Sequence, residues 1–186
     1  MRTLLRLTTS AFAAVLLSAC ALGAQKPEAS NITTSVHVWP HRAPVAVTLA
    51  SDKSVSRFAG AAQASGASRE LDGDGPVTVF APTNAALQKL ADTSNVMNDR
   101  AHLAQVIGCH VLPADLEPHT LSSVIKQNGG SLPIVTQGGC VLTATQVHNV
   151  VTLTDQNGVS STLTHGRIRR GNAMIYKVDT VFTPKG

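Results

Sequence analysis

A change in the spacing of apolar residues at Gly108 limits the possible folds more than any other feature of this chain. Before it, apolar residues recur at helical spacing, as in Leu103, Val106 and Ile107. After it come short runs of Val, Thr, Leu and Ile separated by turn residues, a pattern typical of successive strands. Helices followed by strands favour an α+β fold over an alternating α/β fold, and 186 residues suit one domain with appendages.

The predicted elements follow this division. We expect helices over residues 55–62 and 99–107, a helix with Thr83 as its N-cap, and one helical turn over 121–125. The predicted strands cover 77–80, 109–113, 131–135, 140–145, 147–154, 163–168 and 173–182, with a turn at Asn157-Gly158. Because aromatic residues make up only 3% of the chain, the core must rest on Val, Leu, Ile and Ala. The same scarcity disfavours a stacking platform for single-stranded nucleic acid.

Residues 1–19 are typical of a secretory signal peptide. Arg2 and Arg6 precede an apolar stretch over residues 7–17, which is too short to span a bilayer and is followed by small residues. Without these two arginines, 13 basic residues face 11 acidic ones, so the net charge falls from +4 to +2. Electrostatic binding to nucleic acid or to an anionic membrane therefore has little support.

The end of this segment, Leu17-Ser18-Ala19-Cys20, resembles the lipobox of bacterial lipoproteins, in which the Cys becomes the first mature residue and carries lipid. The resemblance implies lipid attachment at Cys20; the alternative is a plain signal peptide cleaved near Ala19. Ala21 stands where an Asp would imply retention at the inner membrane of enteric bacteria. The expected location is therefore the bacterial cell envelope, at the outer membrane or the periplasmic face.

Between Cys20 and residue 44 the composition is that of a flexible linker, and the folded domain is expected over residues 45–184. Residues 36–41 (VHVWPH) fit an extended segment that docks on the domain, since Pro suits sheet edges. His37 and His41 are weak metal-ligand candidates, because Pro40 argues against a helix that would bring them together.

Three motifs in the expected domain resemble the signatures of fasciclin-like domains. They are residues 77–87 (VTVFAPTNAAL), 110–113 (HVLP) and 176–184 (YKVDTVFTP), in the family's order and at about its spacings. The chain departs from the family pattern at Cys109, where an aromatic residue is common, and at Ala85 and Leu87, where acidic and aromatic residues are common. The closing signature also has Gly171-Asn172 in place of Asn-Gly.

The resemblance implies a single α+β domain whose short β-sheets form a wedge flanked by N-terminal helices. It also implies a secreted or surface-attached adhesion module. Some members of the family bind proteins and some bind apolar small molecules, and the family shares no catalytic residue set.

Five residues of the motifs are interpreted as structural: Thr83, Asn84, His110, Pro113 and Asp179. We expect Asn84 to bond to nearby backbone in its turn, and His110 to lie in an apolar strand and join two segments through its ring nitrogens. The alternatives are a general base at His110, since histidine titrates near neutrality, and a partner contact at Asp179.

Enzyme motifs are weak in this sequence. Residues 123–126 match the Ser-x-x-Lys of penicillin-binding enzymes, but the Lys-Thr-Gly and Ser-Asp-Asn elements are missing. The sequence contains no Gly-x-Ser-x-Gly, His-Glu-x-x-His or Cys-x-x-Cys and no Gly-rich phosphate loop. It therefore predicts no enzyme, no cofactor and no metal site.

Two further groups of residues are candidates for binding and for cross-linking. Arg167, Arg169 and Arg170 form a basic cluster, which is either a solvated face or, with Lys177, a contact for an anionic partner such as an acidic polysaccharide. Cys109 and Cys140 are 31 positions apart in predicted strands. In an exported chain they either form a disulfide or remain as two buried thiols.

Two functional hypotheses follow. The first is an envelope-anchored adhesion module that recognises a protein or polysaccharide and has no catalytic activity. The second is a periplasmic carrier or sensor for a small apolar molecule. An enclosed apolar cavity would favour the second hypothesis, and a filled core with an exposed contact surface would favour the first.

Overall fold

The structure is a computed structural model that describes residues 44–72, 75–163, 168–170 and 173–185. The predicted signal peptide, Cys20 and the linker up to residue 43 lie outside the described residues, as do Arg167 and Gly171-Asn172. Among the described residues, none of the helices is long and apolar enough to cross a membrane.

Helices dominate the first half of the described chain. They are α1 (Val45–Ser51), α2 (Ser56–Ser65), α3 (Ser68–Leu71), α4 (Asn84–Thr93), α5 (Arg100–Gly108) and α6 (Pro118–Gln127), with a short 3-10 helix at Val96–Asn98. The start of α5 follows from sequence, because the Asp99 carboxylate accepts hydrogen bonds from the backbone N–H groups of Ala101 and His102, at 2.9 and 3.2 Å.

The strands form two four-stranded sheets. They are β1 (Val77–Pro82), β2 (Val111–Leu112), β3 (Ser131–Val135), β4 (Val141–Val147), β5 (Val150–Thr154), β6 (Ser160–Thr162), β7 (Ile168–Arg170) and β8 (Ala173–Val178). The first sheet has the order β2-β1-β8-β7, and the second is an antiparallel meander, β3-β4-β5-β6. In the first sheet β1 runs parallel to β8, with Val77 opposite Ala173 and Pro82 opposite Val178.

The first sheet lies between two hydrophobic cores. One face of β1, including Val79 and Ala81, packs with residues of α1, α2 and α5. The other face contributes Phe80 to a core with α6 and the second sheet, where Leu142 and Leu153 are fully buried. A strand covered on both faces needs a continuous apolar run, which explains why every residue of β1 is buried. The fold is α+β and single-domain, as the sequence predicts.

Several predicted boundaries are wrong. Cys109 and His110 lie in the turn after α5 and not in a strand, and Cys140 precedes β4. The single turn expected over 121–125 is the ten-residue helix α6, which begins at Pro118, a favoured first helical residue. The strand expected over 147–154 starts only at Val150, because His148 adopts a positive φ of 55° in the turn that precedes it. The final strand ends at Val178, four residues earlier than expected.

Candidate functional site

Thr83 and Asn84 join the first signature to the helices. The Thr83 hydroxyl accepts a hydrogen bond from the Ala86 backbone N–H at 3.3 Å and so caps α4. The expectation that Asn84 bonds to nearby backbone is wrong. Its Oδ1 accepts from the Arg57 N–H at 2.9 Å, and its Nδ2 donates to the Lys53 carbonyl at 2.8 Å. Because α2 has no side-chain cap of its own, Asn84 serves as a cap from a distant part of the sequence.

His110 is fully buried between α2 and the segment that follows β8, residues 179–184, which we call the closing segment. Its Nδ1 lies 2.8 Å from the Val106 carbonyl, and its Nε2 accepts a hydrogen bond from the Phe182 backbone N–H at 3.1 Å. These contacts define a neutral ring that donates from Nδ1. Phe58 and Phe182 lie against it, with ring centroids 5.6 and 5.4 Å away.

Burial lowers the pKa of His110 to about 4, although the Val106 carbonyl and the negative charge of Asp155 favour the protonated form. Both nitrogens are engaged and the ring has no exposed surface. The arrangement therefore joins α5 to the closing segment and offers no base to a substrate.

The segment that follows β2 and Pro113 is held by side chains that sequence analysis missed. The buried Thr78 hydroxyl donates to the Ala114 carbonyl at 2.7 Å and accepts from the Leu116 N–H at 2.9 Å. The Tyr176 hydroxyl donates to the Leu116 carbonyl at 2.7 Å. A Thr within the apolar run of β1 is the sequence signal for this role, since a buried hydroxyl needs a partner.

Asp179 and Asp155 hold the C-terminal segment. The Ser161 hydroxyl donates to Asp179 at 2.6 Å, so Asp179 links the end of β8 to β6. Asp155, which is also buried, accepts hydrogen bonds from the backbone N–H groups of Val159 and Thr183, at 2.8 and 3.3 Å. The turn sequence Asp-x-Asn-Gly at 155–158 is the local signal for such backbone bonding.

The predicted basic contact surface is not one surface. Neighbouring residues of a strand point to opposite faces, and directly paired residues share a face. Arg169 is paired with Met174, and Arg170 with Ala173, so the two arginines lie on opposite faces of the first sheet. Lys177 lies on the same face of β8 as Ala173, away from Arg169.

Two cations of this set, Arg169 and Lys177, form ion pairs within the domain. Arg169 forms ion pairs with Asp115, at 2.9 Å, and with Glu117. Lys177 lies 2.7 Å from the Asp52 carboxylate and is only about a quarter exposed. Hydrogen bonds from Lys177 and Ser54 lower the pKa of Asp52 to about 2. Lys177 therefore fixes the segment after α1 to the sheet, and its role as a partner contact stays a prediction.

A disulfide joins Cys109 to Cys140, with a Cα–Cα distance of 5.1 Å, and both residues are buried. It connects the turn after α5 to the residue that precedes β4 of the second sheet. Gly108 and Gly138 lie backbone to backbone beside it. A Cβ at Gly138 would stand 2.5 Å from the Gln105 carbonyl oxygen and 2.6 Å from the Cys109 nitrogen.

Among the clefts formed by described residues, two that are open to solvent bear on the two functional hypotheses. One, of about 390 Å³, is lined by Glu117, Pro118, His119, Arg169 and Met174. The other, of about 360 Å³, lies between α1 and α2 and is lined mainly by small residues such as Ala50 and Gly60. Neither is the enclosed apolar cavity that a carrier of small apolar molecules needs. No group of three or more His, Cys, Asp or Glu side chains in the described ranges is placed to hold a metal ion.

Comparison with protein families decides the identity of the fold. The model of the fasciclin domain matches residues 53–184, which is most of the chain. The chain belongs to the fasciclin domain family. The three fasciclin signatures meet in the first sheet, where β1 lies beside both β2 and β8.

A solved structure supports the fasciclin fold. A domain pair from the insect cell adhesion molecule fasciclin I matches with a TM-score of 0.57 at 20% identity, over 70% of this chain and 45% of the other. The chain thus spans less than half of that structure, and the likeness shows the fold alone. A search of curated proteins gave no significant match. Fasciclin domains are generally adhesion modules and are typically non-catalytic.

Proposed function

We propose that this fasciclin domain is a lipid-anchored binding module of the bacterial cell envelope that recognises a protein or polysaccharide partner without catalysis. The engagement of the signature side chains carries the proposal. Thr83, Asn84, His110 and Asp179 all bond within the domain, so they stabilise it and are not presented to a substrate. The exposed surface is what remains for function.

The cleft beside Arg169 is the contact surface that the geometry favours. The Arg169 side chain is 48% exposed, and the Asp115 and Glu117 carboxylates hold it in place. Together the three groups carry a net charge of −1, which favours a protein partner over an acidic polysaccharide at this cleft. A pre-oriented Arg beside apolar Met174 and Pro118 is typical of protein contacts, in which Arg is enriched.

Export and anchoring rest on the sequence. Arg2 and Arg6, the short apolar stretch and Cys20 together support a lipoprotein signal, and the linker would hold the domain away from the membrane. An adhesion module needs this arrangement, because its contact surface has to meet a partner beyond the lipid headgroups.

Capture experiments with matched variants test the contact surface. The full chain, immobilised through its C-terminus, is incubated with an envelope extract of the producing bacterium, and bound material is identified by mass spectrometry. Arg169→Ala is expected to weaken capture about tenfold, which corresponds to roughly 1.4 kcal/mol, with little change in melting temperature. The control is Arg69→Ala, which removes an exposed arginine on α3 outside the cleft.

Two results would contradict the proposal. Equal capture by both variants would exclude the Arg169 cleft as the contact surface. Reproducible turnover of ester, glycoside, peptide or phosphate substrates by the purified chain would contradict the absence of catalysis.

A further inference from the structure

The cleft between α1 and α2 is open and could accept a side chain from another segment. Its α1 wall consists of Ala46, Val47 and Ala50, and Val47 is 55% exposed. Its α2 wall includes Ala59 and Gly60. None of the side chains that line the cleft carries a charge. An uncharged cleft with small walls suits a flat apolar side chain rather than a charged ligand.

Contacts within the described part of the domain do not explain why residue 60 is a glycine. It lies in the middle of α2, where glycine is unfavourable relative to alanine, and its φ is not positive. A Cβ at Gly60 would have no atom within 4 Å, so packing in the described domain does not require a glycine either. A group that approaches the helix backbone closely at this point would explain it.

The entry of the chain into α1 lies at one end of the same cleft. The Ala46 backbone N–H donates to the Asp72 carboxylate at 3.3 Å, which holds the first turn of α1 against the end of α3. Ser68, in the first turn of α3, lines the cleft. Pro44, the first described residue, therefore lies close to this cleft.

The linker carries one side chain that fits. Trp39 is the only tryptophan of the chain and stands six residues before Val45, which allows a span of about 20 Å, whereas α1 is only about 10 Å long. Val38 and Pro40 flank it without charge, and Pro40 favours extended backbone at Trp39. A side chain tethered so closely has an effective concentration in the millimolar range, so even a weak site is filled.

We propose that the indole of Trp39 docks between α1 and α2 against Gly60, so that the linker is fastened to the domain it precedes. The contact is independent of lipid attachment and of the partner at the Arg169 cleft. It shortens the free linker to the residues before Val38 and gives the domain a fixed exit direction.

Fluorescence of the full chain tests this directly, because the only tryptophan reports its own surroundings. Excitation at a wavelength that Tyr176 does not absorb gives emission from Trp39 alone. The native chain is expected to emit at a shorter wavelength than the same chain in denaturant and to be quenched less by acrylamide. Gly60→Leu fills the cleft without a clash and improves helix propensity, so it should move the emission to the denatured position while the melting temperature is kept or raised.

The matched control is Ala85→Leu, which adds a similar side chain at an exposed position of α4 away from the cleft, and it should leave the emission unchanged. Native emission at the denatured wavelength overturns the proposal. So does a short-wavelength emission that Gly60→Leu leaves unchanged, as expected for Trp39 in a lipid or detergent surface. A short-wavelength emission that disappears on dilution would show docking on a second copy and would also overturn it.

Discussion

At the scale of single residues, polar side chains of the signatures stabilise the fold, although their residue types suggest catalysis or binding. His110 has the residue type of a general base, but its two nitrogens are committed to the Val106 carbonyl and the Phe182 N–H. Lys177 has the residue type of a contact cation, but it is paired with Asp52. In both cases the environment rather than the residue type decides what the group does.

Because His110 is buried in its neutral form, we expect acid to destabilise the domain as the pH falls below 6.5. The folded pKa is about 4 and the ordinary value is 6.5, so between these limits the unfolded chain binds a proton that the folded chain does not. The contribution of neutral His110 to the free energy of unfolding is therefore fully present above pH 6.5. It is lost as the pH drops toward 4, by about 3 kcal/mol over the full range.

Chemical denaturation of the full chain between pH 7 and 5 measures this loss. His110→Gln should be less stable at pH 7 and should show a flatter profile over this interval. His102→Gln, a change at an exposed histidine, should keep the wild-type profile. A wild-type stability that does not change between pH 7 and 5 would show that His110 is not buried in its neutral form.

At the scale of elements, the contact between α5 and the start of β4 is fixed twice, by the disulfide and by the approach of Gly108 to Gly138. The disulfide restricts the unfolded chain, whereas the glycine contact is a packing requirement of the folded state. The two features can therefore be tested separately.

We expect the Cys109–Cys140 bridge to contribute about 3–4 kcal/mol on the chain-entropy model for a loop of this length. Intact mass after alkylation without reductant should show neither cysteine modified in the exported protein, and the paired variant C109A/C140A should have a lower melting temperature. Two modified cysteines in the unreduced protein would exclude the bridge.

Gly138→Ala should destabilise the domain by roughly 1–3 kcal/mol, because the new methyl group would overlap the Gln105 carbonyl oxygen and the Cys109 nitrogen. The control is Gly75→Ala, at a glycine whose φ is not positive and where a Cβ meets nothing within 4 Å. Thermal unfolding of the two variants should differ clearly. Equal melting temperatures would mean that the backbone separates here at little cost.

Local signals explain which elements could be predicted from sequence. The helix expected over 99–107 is α5 to within one residue, since the Asp99 cap and the apolar spacing are both local. For α6 the sequence predicts only one turn, because Leu121 and Ile125 are the buried residues among its ten and they form a short apolar pattern. Positions of pairing partners are not local, so the parallel neighbours β1 and β8 were not predicted.

The distance along the chain between contacting residues also explains which parts of the site could be predicted. The Thr83 cap is a contact over three residues, and the sequence predicts it. The partners of Asn84, Arg169 and Lys177 come from segments far away along the chain, and no local pattern specifies them.

At the scale of the whole molecule, function depends on where the domain is held. The predicted export signal and linker precede the fasciclin domain, and the proposed contact cleft at Arg169 would serve adhesion only outside the cytoplasm. The predicted anchor is thus the feature that would link the fold to its proposed role.

Cys20→Ser should transfer the protein from the membrane fraction to the soluble fraction, or leave it unprocessed, because the thiol that receives the lipid is lost. Fractionation of cells with and without the substitution measures this, together with the mass of the mature N-terminus. Cys140→Ser serves as the control, since it removes a thiol from the domain and not from the lipobox. A wild-type N-terminus without acyl mass would refute lipidation.

The parallel pairing of β1 with β8 also sets the order of events during biosynthesis. β1 requires a neighbour that stands 96 positions later, from Val77 to Ala173, and the closing segment then supplies the Phe182 N–H to His110. The central sheet is therefore incomplete until β8 has been made, and closing so long a loop is slow. Such a topology suits the predicted export, because a chain that folds late would pass through a secretion channel unfolded and would complete its domain only on the far side.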